Sequence, residues 1–231
     1  MKKNIAIIMG GYSSELAISL KSGAVIYSHL NTEKYNGYTV HILKEKWVVV
    51  INHEEFPIDK NDFSAQIHGK KLIFDCVFNA IHGAPGENGV MLAYFDLIGM
   101  RHTSAPFYQM ALTFNKRDCL STVKAYGIKT ADSIYLNEGD EINPKKIIET
   151  VGLPCFIKPN NAGSSFGISK AYNVSEILKG IQTAFKEDSE ILIESYLEGT
   201  EVSVGVLQYQ NKLKVLPITE IITENDFFDY E

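Results

Sequence analysis

Short apolar runs separated by glycine-containing turns set the pattern of the chain. Residues 4–9 form an apolar run that suits a strand covered on both faces. Gly10-Gly11-Tyr12-Ser13-Ser14-Glu15 then turns the chain into a helix ending near residue 30, with Leu16, Ala17, Leu20, Ala24 and Tyr27 as its apolar stripe. Ser13 or Ser14 is the expected N-cap, with Glu15 in the first turn, where a carboxylate is favoured. Residues 38–43 read as the next strand. Strand, glycine turn, helix, strand is the opening of a doubly wound α/β domain. It is not a dinucleotide fingerprint, because the third glycine of G-x-G-x-x-G is missing.

Residues 47–51 are strongly β-prone, and residues 57–71 carry the polar and turn residues of a hairpin excursion. Residues 72–81 are again strand-like and deliver His82-Gly83-Ala84-Pro85-Gly86-Glu87-Asn88-Gly89 at their end. Functional groups in open α/β sheets collect at the carboxyl ends of strands, so this turn and the one bearing Glu15 are expected to face one crevice. For His82 alone, a structural place in its loop is the stronger reading. Helices are predicted over 89–97, 107–112, 115–126 (with Gly127 as its stop) and 144–151, and a strand over 131–136. Lys116 at a helix start opposes the macrodipole, which either a surface position or a bound phosphate explains. A helix over 174–185, a strand over 191–194 and two antiparallel strands over 202–209 and 213–222, joined at Gln210-Asn211, complete the pattern.

The stretch with the most chemistry runs from Lys158 to Lys170, Lys-Pro-Asn-Asn-Ala-Gly-Ser-Ser-Phe-Gly-Ile-Ser-Lys, between two short strands. Gly163 and Gly167 let the backbone approach an anion or adopt positive φ, and Ser164 and Ser165 add donors. In a low-dielectric cleft a cation about 4 Å from a phosphate oxygen gains roughly 4 kcal/mol, against at most about 1 kcal/mol for an exposed pair. An exposed hairpin turn with ordinary lysines accounts for the loop equally well taken alone.

Composition narrows the class. The 231 residues, 45% apolar and 22% charged, provide one or two domains with a sizeable core. A net charge of −6 argues against broad nucleic-acid binding. No run approaches a membrane span, and the apolar start is too short for a signal peptide. Cys76, Cys119 and Cys155 lack metal-ligand spacing and read as reduced thiols of a cytoplasmic protein.

Four motifs in one order carry a resemblance. Gly10-Gly11-x-Ser13-x-Glu15, His82-Gly83-x-x-Gly86-Glu87-x-Gly89, Asn115-Lys116, and Lys158-Pro159-x-x-x-Gly163-Ser164-Ser165-x-Gly167 together resemble the signatures of D-alanine–D-alanine ligases. Ile193-Glu194 with Glu198-Gly199-x-Glu201 is similar to that family's adenine-side hinge, and residues 228–231 to the approach to its lid loop. The family belongs to the ATP-grasp superfamily. The resemblance implies an N-terminal Rossmann-like α/β substrate domain over 1–105. It implies a central ATP-grasp subdomain over 106–192 and the start of a C-terminal one over 193–231. It also implies roles. Lys116 and Lys158 would contact ATP phosphates, and Gly163, Ser164, Ser165 and Gly167 would fold over them. Glu194 and the backbone to Leu197 would read the adenine, and Glu201 the ribose. Glu15, helped by Ser164 and His82, would hold the ammonium of the first D-alanine. The implied reaction phosphorylates that D-alanine's carboxylate, and a second D-alanine's amine then expels phosphate.

Leu16, Met91-Leu92-Ala93 and His102 depart from the family's usual residues without removing an implied role. The lid Lys-Tyr pair, the phosphoryl-stabilising arginine and the ligands for Mg²⁺ (or Mn²⁺) are expected beyond Glu231. No metal ligand is therefore assigned here, and the 231-residue chain alone is expected to be inactive. The resemblance suggests a homodimer serving peptidoglycan precursor synthesis, with no nucleic acid or membrane as partner. The sequence leaves open a D-alanine–D-lactate ligase, another ATP-grasp carboxylate–amine ligase, or a fragment that binds nucleotide or D-alanine without turnover.

Overall fold

The computed structural model describes residues 2–223. Residues 228–231, read above as the approach to a lid loop, lie outside the described residues. The chain divides into two compact units, one of residues 1–130 with 159–163, the other of residues 131–158 with the chain from 164.

The first unit is built on β1 (Lys3–Gly10), which pairs in parallel with β2 (Tyr35–Ile42) on one side and β7 (Cys76–Asn79) on the other. Alternation along β1 explains its unbroken apolar character. Ile5, Ile7 and Met9 enter one core with Ala80, whereas Ala6 and Ile8 enter another with Val40, Ile42, Val77, Leu92 and Phe95. A strand with both faces covered cannot alternate apolar with polar residues.

Helix α1 (Leu16–His29) covers the first face, with only Leu20 of the predicted stripe packed against it. Its buried residues are Ser19 and Gly23, while Leu16 and Tyr27 are exposed. Small residues bring the helix close to the sheet. Ser19 Oγ accepts from the Gly10 N–H at 2.8 Å and donates to the Ala80 carbonyl at 2.9 Å. The expected serine N-cap is also corrected, because Glu15 occupies that position with no side-chain cap bond. Ser13 is used instead to donate to the His82 carbonyl and accept from the Glu15 N–H.

Beyond β2 the sheet continues as an antiparallel meander. Strands β3 (Trp47–Ile51), β4 (Glu54–Asp59), β5 (Ser64–Ile67) and β6 (Lys70–Leu72) give the order β6-β5-β4-β3-β2-β1-β7. The expected hairpin excursion is thus three strands of the main sheet, held by Phe63, which is fully buried against Phe74, Phe95, Tyr94 and Trp47. The single strand expected over 72–81 is split. Asn4 binds the Asp75 carboxylate through its N–H and the Ile73 carbonyl through its side chain, which breaks the run before β7. Helix α2 (Val90–Leu97) packs on the second face of β1, and α3 (Phe107–Phe114) and α4 (Lys116–Ala125) follow. Asn115 starts α4 by accepting from the Asp118 N–H, and Gly127 ends the segment at φ +76°.

The second unit holds β8 (Ser133–Asn137), α5 (Pro144–Val151), β9 (Cys155–Pro159), β10 (Ser169–Ala171), α6 (Val174–Ala184) and β11 (Glu190–Ser195). Its sheet order is β10-β9-β11-β8, with Ile147, Val151, Ile157, Ile177, Ile181, Ile191 and Ile193 in one core. At about 1.5–3 kcal/mol for each fully buried aliphatic side chain, this cluster is what orders the sheet and hence the hairpin β9–β10. Strands β12 (Val202–Tyr209) and β13 (Lys212–Glu220) form a separate hairpin. It turns at Gln210 and Asn211, both at positive φ, as a two-residue loop between right-twisted strands requires. Among the described residues no helix is long and apolar enough to cross a membrane.

Candidate active site

In the first unit, the carboxyl ends of β1 and β7 bring the two glycine-containing turns together. The Tyr12 N–H donates to the Ala84 carbonyl at 2.7 Å, and Ser13 Oγ reaches the His82 carbonyl at 3.2 Å. Between the turns, Glu15, His82 and Glu87 each present one ligand-type atom, all within 4.8 Å of one another. Glu15 is 2% exposed, an unusual position for a carboxylate. Glu87 accepts from the Gly83 N–H at 2.7 Å. Burial raises its pKa, and the neighbouring Glu15 charge adds to the rise; the Gly83 N–H, His82 and Lys116 oppose it. Two carboxylates and an imidazole packed this closely form a site for a small cation.

The segment from Pro159 to Gly163 belongs to the same unit and closes over this cluster. A Cβ built on Gly163 would lie 2.9 Å from Glu15 Oε1 and 3.0 Å from Oε2. Only a glycine lets the backbone come so near the carboxylate. The position does not need positive φ. The left-handed residues of the loop are Ser164, Ser165 and Gly167, so Gly167 takes the positive φ expected of it, Gly163 serves close approach instead, and the two serines were not foreseen as left-handed. Lys116 Nζ donates to the Ala162 carbonyl at 2.6 Å and the Arg117 N–H to Asn160 Oδ1 at 2.9 Å, so α4 begins against the same segment. Lys116 is thus part-buried and tied to a backbone carbonyl, a structural place that neither explanation offered for it had named.

In the second unit, Lys158 Nζ lies 2.7 Å from Glu194 Oε2, with side chains 27% and 10% exposed. Residues alternate along β9, so Cys155 and Ile157 face the core while Phe156 and Lys158 share the other face. The β9–β10 register sets Lys170 opposite Phe156. Tyr196 stacks on Phe156 at 6.3 Å between centroids, and Lys170 Nζ stands 4.8 Å over the Tyr196 ring. This aromatic face with two lysines is suited to a planar, anionic ligand. Leu197 and Glu201 lie in the exposed segment after β11. Lys170 was singled out only as the end of the loop and Phe156 and Tyr196 not at all, yet period-two alternation from Lys158 picks out Phe156. Glu87 was legible only as part of a motif.

Together these features define a class, the ATP-grasp ligases: a Rossmann-like α/β unit, then a small antiparallel sheet carrying a lysine-flanked hairpin loop. Family models agree. That of the D-ala D-ala ligase N-terminus matches residues 4–105, and that of the D-ala D-ala ligase C-terminus matches residues 122–231. The chain belongs to the D-alanine–D-alanine ligase family. It is 65% identical to a D-alanine–D-alanine ligase of Flavobacterium johnsoniae over 99% of this chain and 71% of that protein. Among solved structures it resembles D-alanyl-alanine synthetase A from Vibrio cholerae, with a TM-score of 0.86 and 26% identity over 97% of this chain and 68% of that one. It also resembles the D-alanine–D-alanine ligase of Bacillus anthracis complexed with ATP, at a TM-score of 0.71 and 26% identity over 98% and 68% of the two chains.

Proposed function

We propose that the protein joins two D-alanine molecules into D-alanyl-D-alanine at the expense of ATP, for peptidoglycan precursor synthesis. The observation that carries the reading is the buried Glu15 carboxylate beside His82, Glu87 and Gly163, a site matched to the ammonium of a small amino acid. The family's chemistry supplies the rest. The γ-phosphoryl group of ATP passes to the carboxylate of the first D-alanine, giving an acyl phosphate and ADP. The amine of the second attacks the carbonyl carbon, and phosphate leaves with the C–O bond as the amine loses a proton.

In this reading Glu15 holds the first ammonium, with His82 and Ser164 assisting. Lys116 and Lys158 neutralise phosphate charge, and the 163–167 loop shields the acyl phosphate from water. Glu194, the backbone to Leu197 and Glu201 bind the nucleoside. Mg²⁺ would serve the phosphoryl transfer when bound. The Glu15–His82–Glu87 group does not suit it, since Mg²⁺ prefers oxygen donors and most of its waters. No step is assigned to the metal here. The division at residues 105 and 192, a homodimer and a cytoplasmic location belong to the same proposal and rest on family resemblance. Glu15→Gln should raise the KM for D-alanine at least tenfold and leave that for ATP within twofold, in an assay of coupled phosphate release. Equal changes in both constants would refute the ammonium assignment.

A further inference from the structure

Helix α1 presents two serines one turn apart to the loops above it. Ser19 ties the ends of β1 and β7 together. Ser22 Oγ lies 3.0 Å from His82 Nε2. Among the described residues this is the only hydrogen bond of the imidazole and of the Ser22 hydroxyl. A histidine's outer torsion is broad and roughly two-fold, so backbone placement alone does not choose which ring nitrogen faces a substrate.

We propose that Ser22 is a positioning residue for His82: its hydroxyl holds Nε2, fixes the ring's orientation and tautomer, and leaves Nδ1 for the D-alanine site. The proposal rests on the reading that His82 serves that site. It differs from a structural role because alanine is at least as good a helix former as serine. Ser22→Ala should therefore keep the fold while freeing the ring. Ser22→Ala leaves only His82 Nε2 without its partner, in a part-buried position that water can reach, so the effect is expected in the reaction and not in the melting temperature.

The test uses the intact protein and the variants Ser22→Ala, Ser22→Thr, His82→Ala and Ser22→Ala/His82→Ala. Ser22→Ala is expected to lower kcat/KM for D-alanine about tenfold and to leave the KM for ATP within twofold. Ser22→Thr, which keeps the hydroxyl, should recover most of the loss. The double variant should be no worse than His82→Ala, because a residue acting through another contributes nothing once that partner is gone. In ¹⁵N spectra the His82 ring should show one dominant tautomer in the parent and a mixture in Ser22→Ala. Wild-type kinetics and an unchanged ring spectrum for Ser22→Ala, with His82→Ala impaired, would overturn the role of Ser22 alone. Wild-type kinetics for His82→Ala would overturn the site reading of His82, and this inference with it.

Discussion

Gly163→Ala separates site geometry from folding more cleanly than any substitution of a charged residue. The backbone at Gly163 is not left-handed, so alanine adds no backbone strain there, and its smaller unfolded-state entropy of about 0.4–1 kcal/mol offsets the steric cost of displacing the neighbouring carboxylate. The new methyl carbon would stand 2.9 Å and 3.0 Å from the two Glu15 carboxylate oxygens and 3.2 Å from Cδ. Non-bonded heavy atoms settle at about 3.5–4.0 Å, so the carboxylate must retreat by roughly half an ångström or more. Glu15 is almost fully buried, which leaves it few directions to move. A misplacement of about 1 Å in a positioning group costs roughly a hundredfold, so a rise of about ten- to a hundredfold in the KM for D-alanine is expected. Thermal unfolding should stay within about 3 °C of the parent, given about 2–4 °C per kcal/mol for a chain of this size. Coupled phosphate release with D-alanine varied at saturating ATP, and the converse, reads both constants. An unchanged D-alanine constant would refute the account of why glycine stands there. So would a matched loss against ATP.

Three further outcomes follow from the same geometry. Burial holds the Glu87 pKa above its ordinary value of 4.5, so the folded protein binds more protons than the unfolded one and loses stability as pH rises through the folded pKa. Glu87→Gln should therefore unfold at a higher temperature than the parent at pH 7.5, with the gap closing below about pH 4.5; a lower melting temperature at pH 7.5 would contradict this. Glu194→Gln breaks the partly buried pair with Lys158, 2.7 Å apart, and should cost about 1–2 kcal/mol, or about 2–8 °C, while raising the KM for ATP. Unchanged melting and unchanged ATP dependence would show the pair to be inert. Asn160→Ala removes a side chain that is 1% exposed and accepts from the Arg117 N–H, with an expected loss of about 1–3 kcal/mol. Faster hydrogen exchange in the first turn of α4 would show where that loss falls, and unaltered protection there would refute it.

Much of the fold was legible because local signals and packing agree. The apolar run of β1, the glycine stops and the Gln210-Asn211 turn each specify their own conformation. The meander was legible only in part, as a β-prone run over 47–51 and a hairpin over 57–71; its continuation of the main sheet was not, and the turn at Phe63 takes positive φ without a glycine or asparagine to signal it. Packing against Phe63 offsets that cost. Helix α1 misled for a related reason. Its fully buried positions are Ser19 and Gly23, small residues that allow close approach, with Leu20 and Ile26 packed beside them, so a search for large apolar side chains finds only part of the face.

The site divides along the same line. Glu15, His82, Lys116 and Lys158 could be read from motifs because charged groups at the ends of strands and the starts of helices lack a packing explanation. Their supports could not, since Ser22, Asn160 and Phe156 are ordinary residues whose meaning comes only from what they touch. The loop from Lys158 to Lys170 shows how this changes an argument. Glycine at 163 reads as conformational freedom for holding an anion. In the fold its backbone is ordinary, and what the missing side chain provides is room for a carboxylate. The left-handed turns fall to Ser164 and Ser165. The same loop thus has two distinct requirements: absence of a side chain where it meets Glu15, and strained serine backbone where the stretch proposed to cover the phosphates begins. Substitutions at 163 and at 165 should therefore fail differently, the first through D-alanine and the second through ATP.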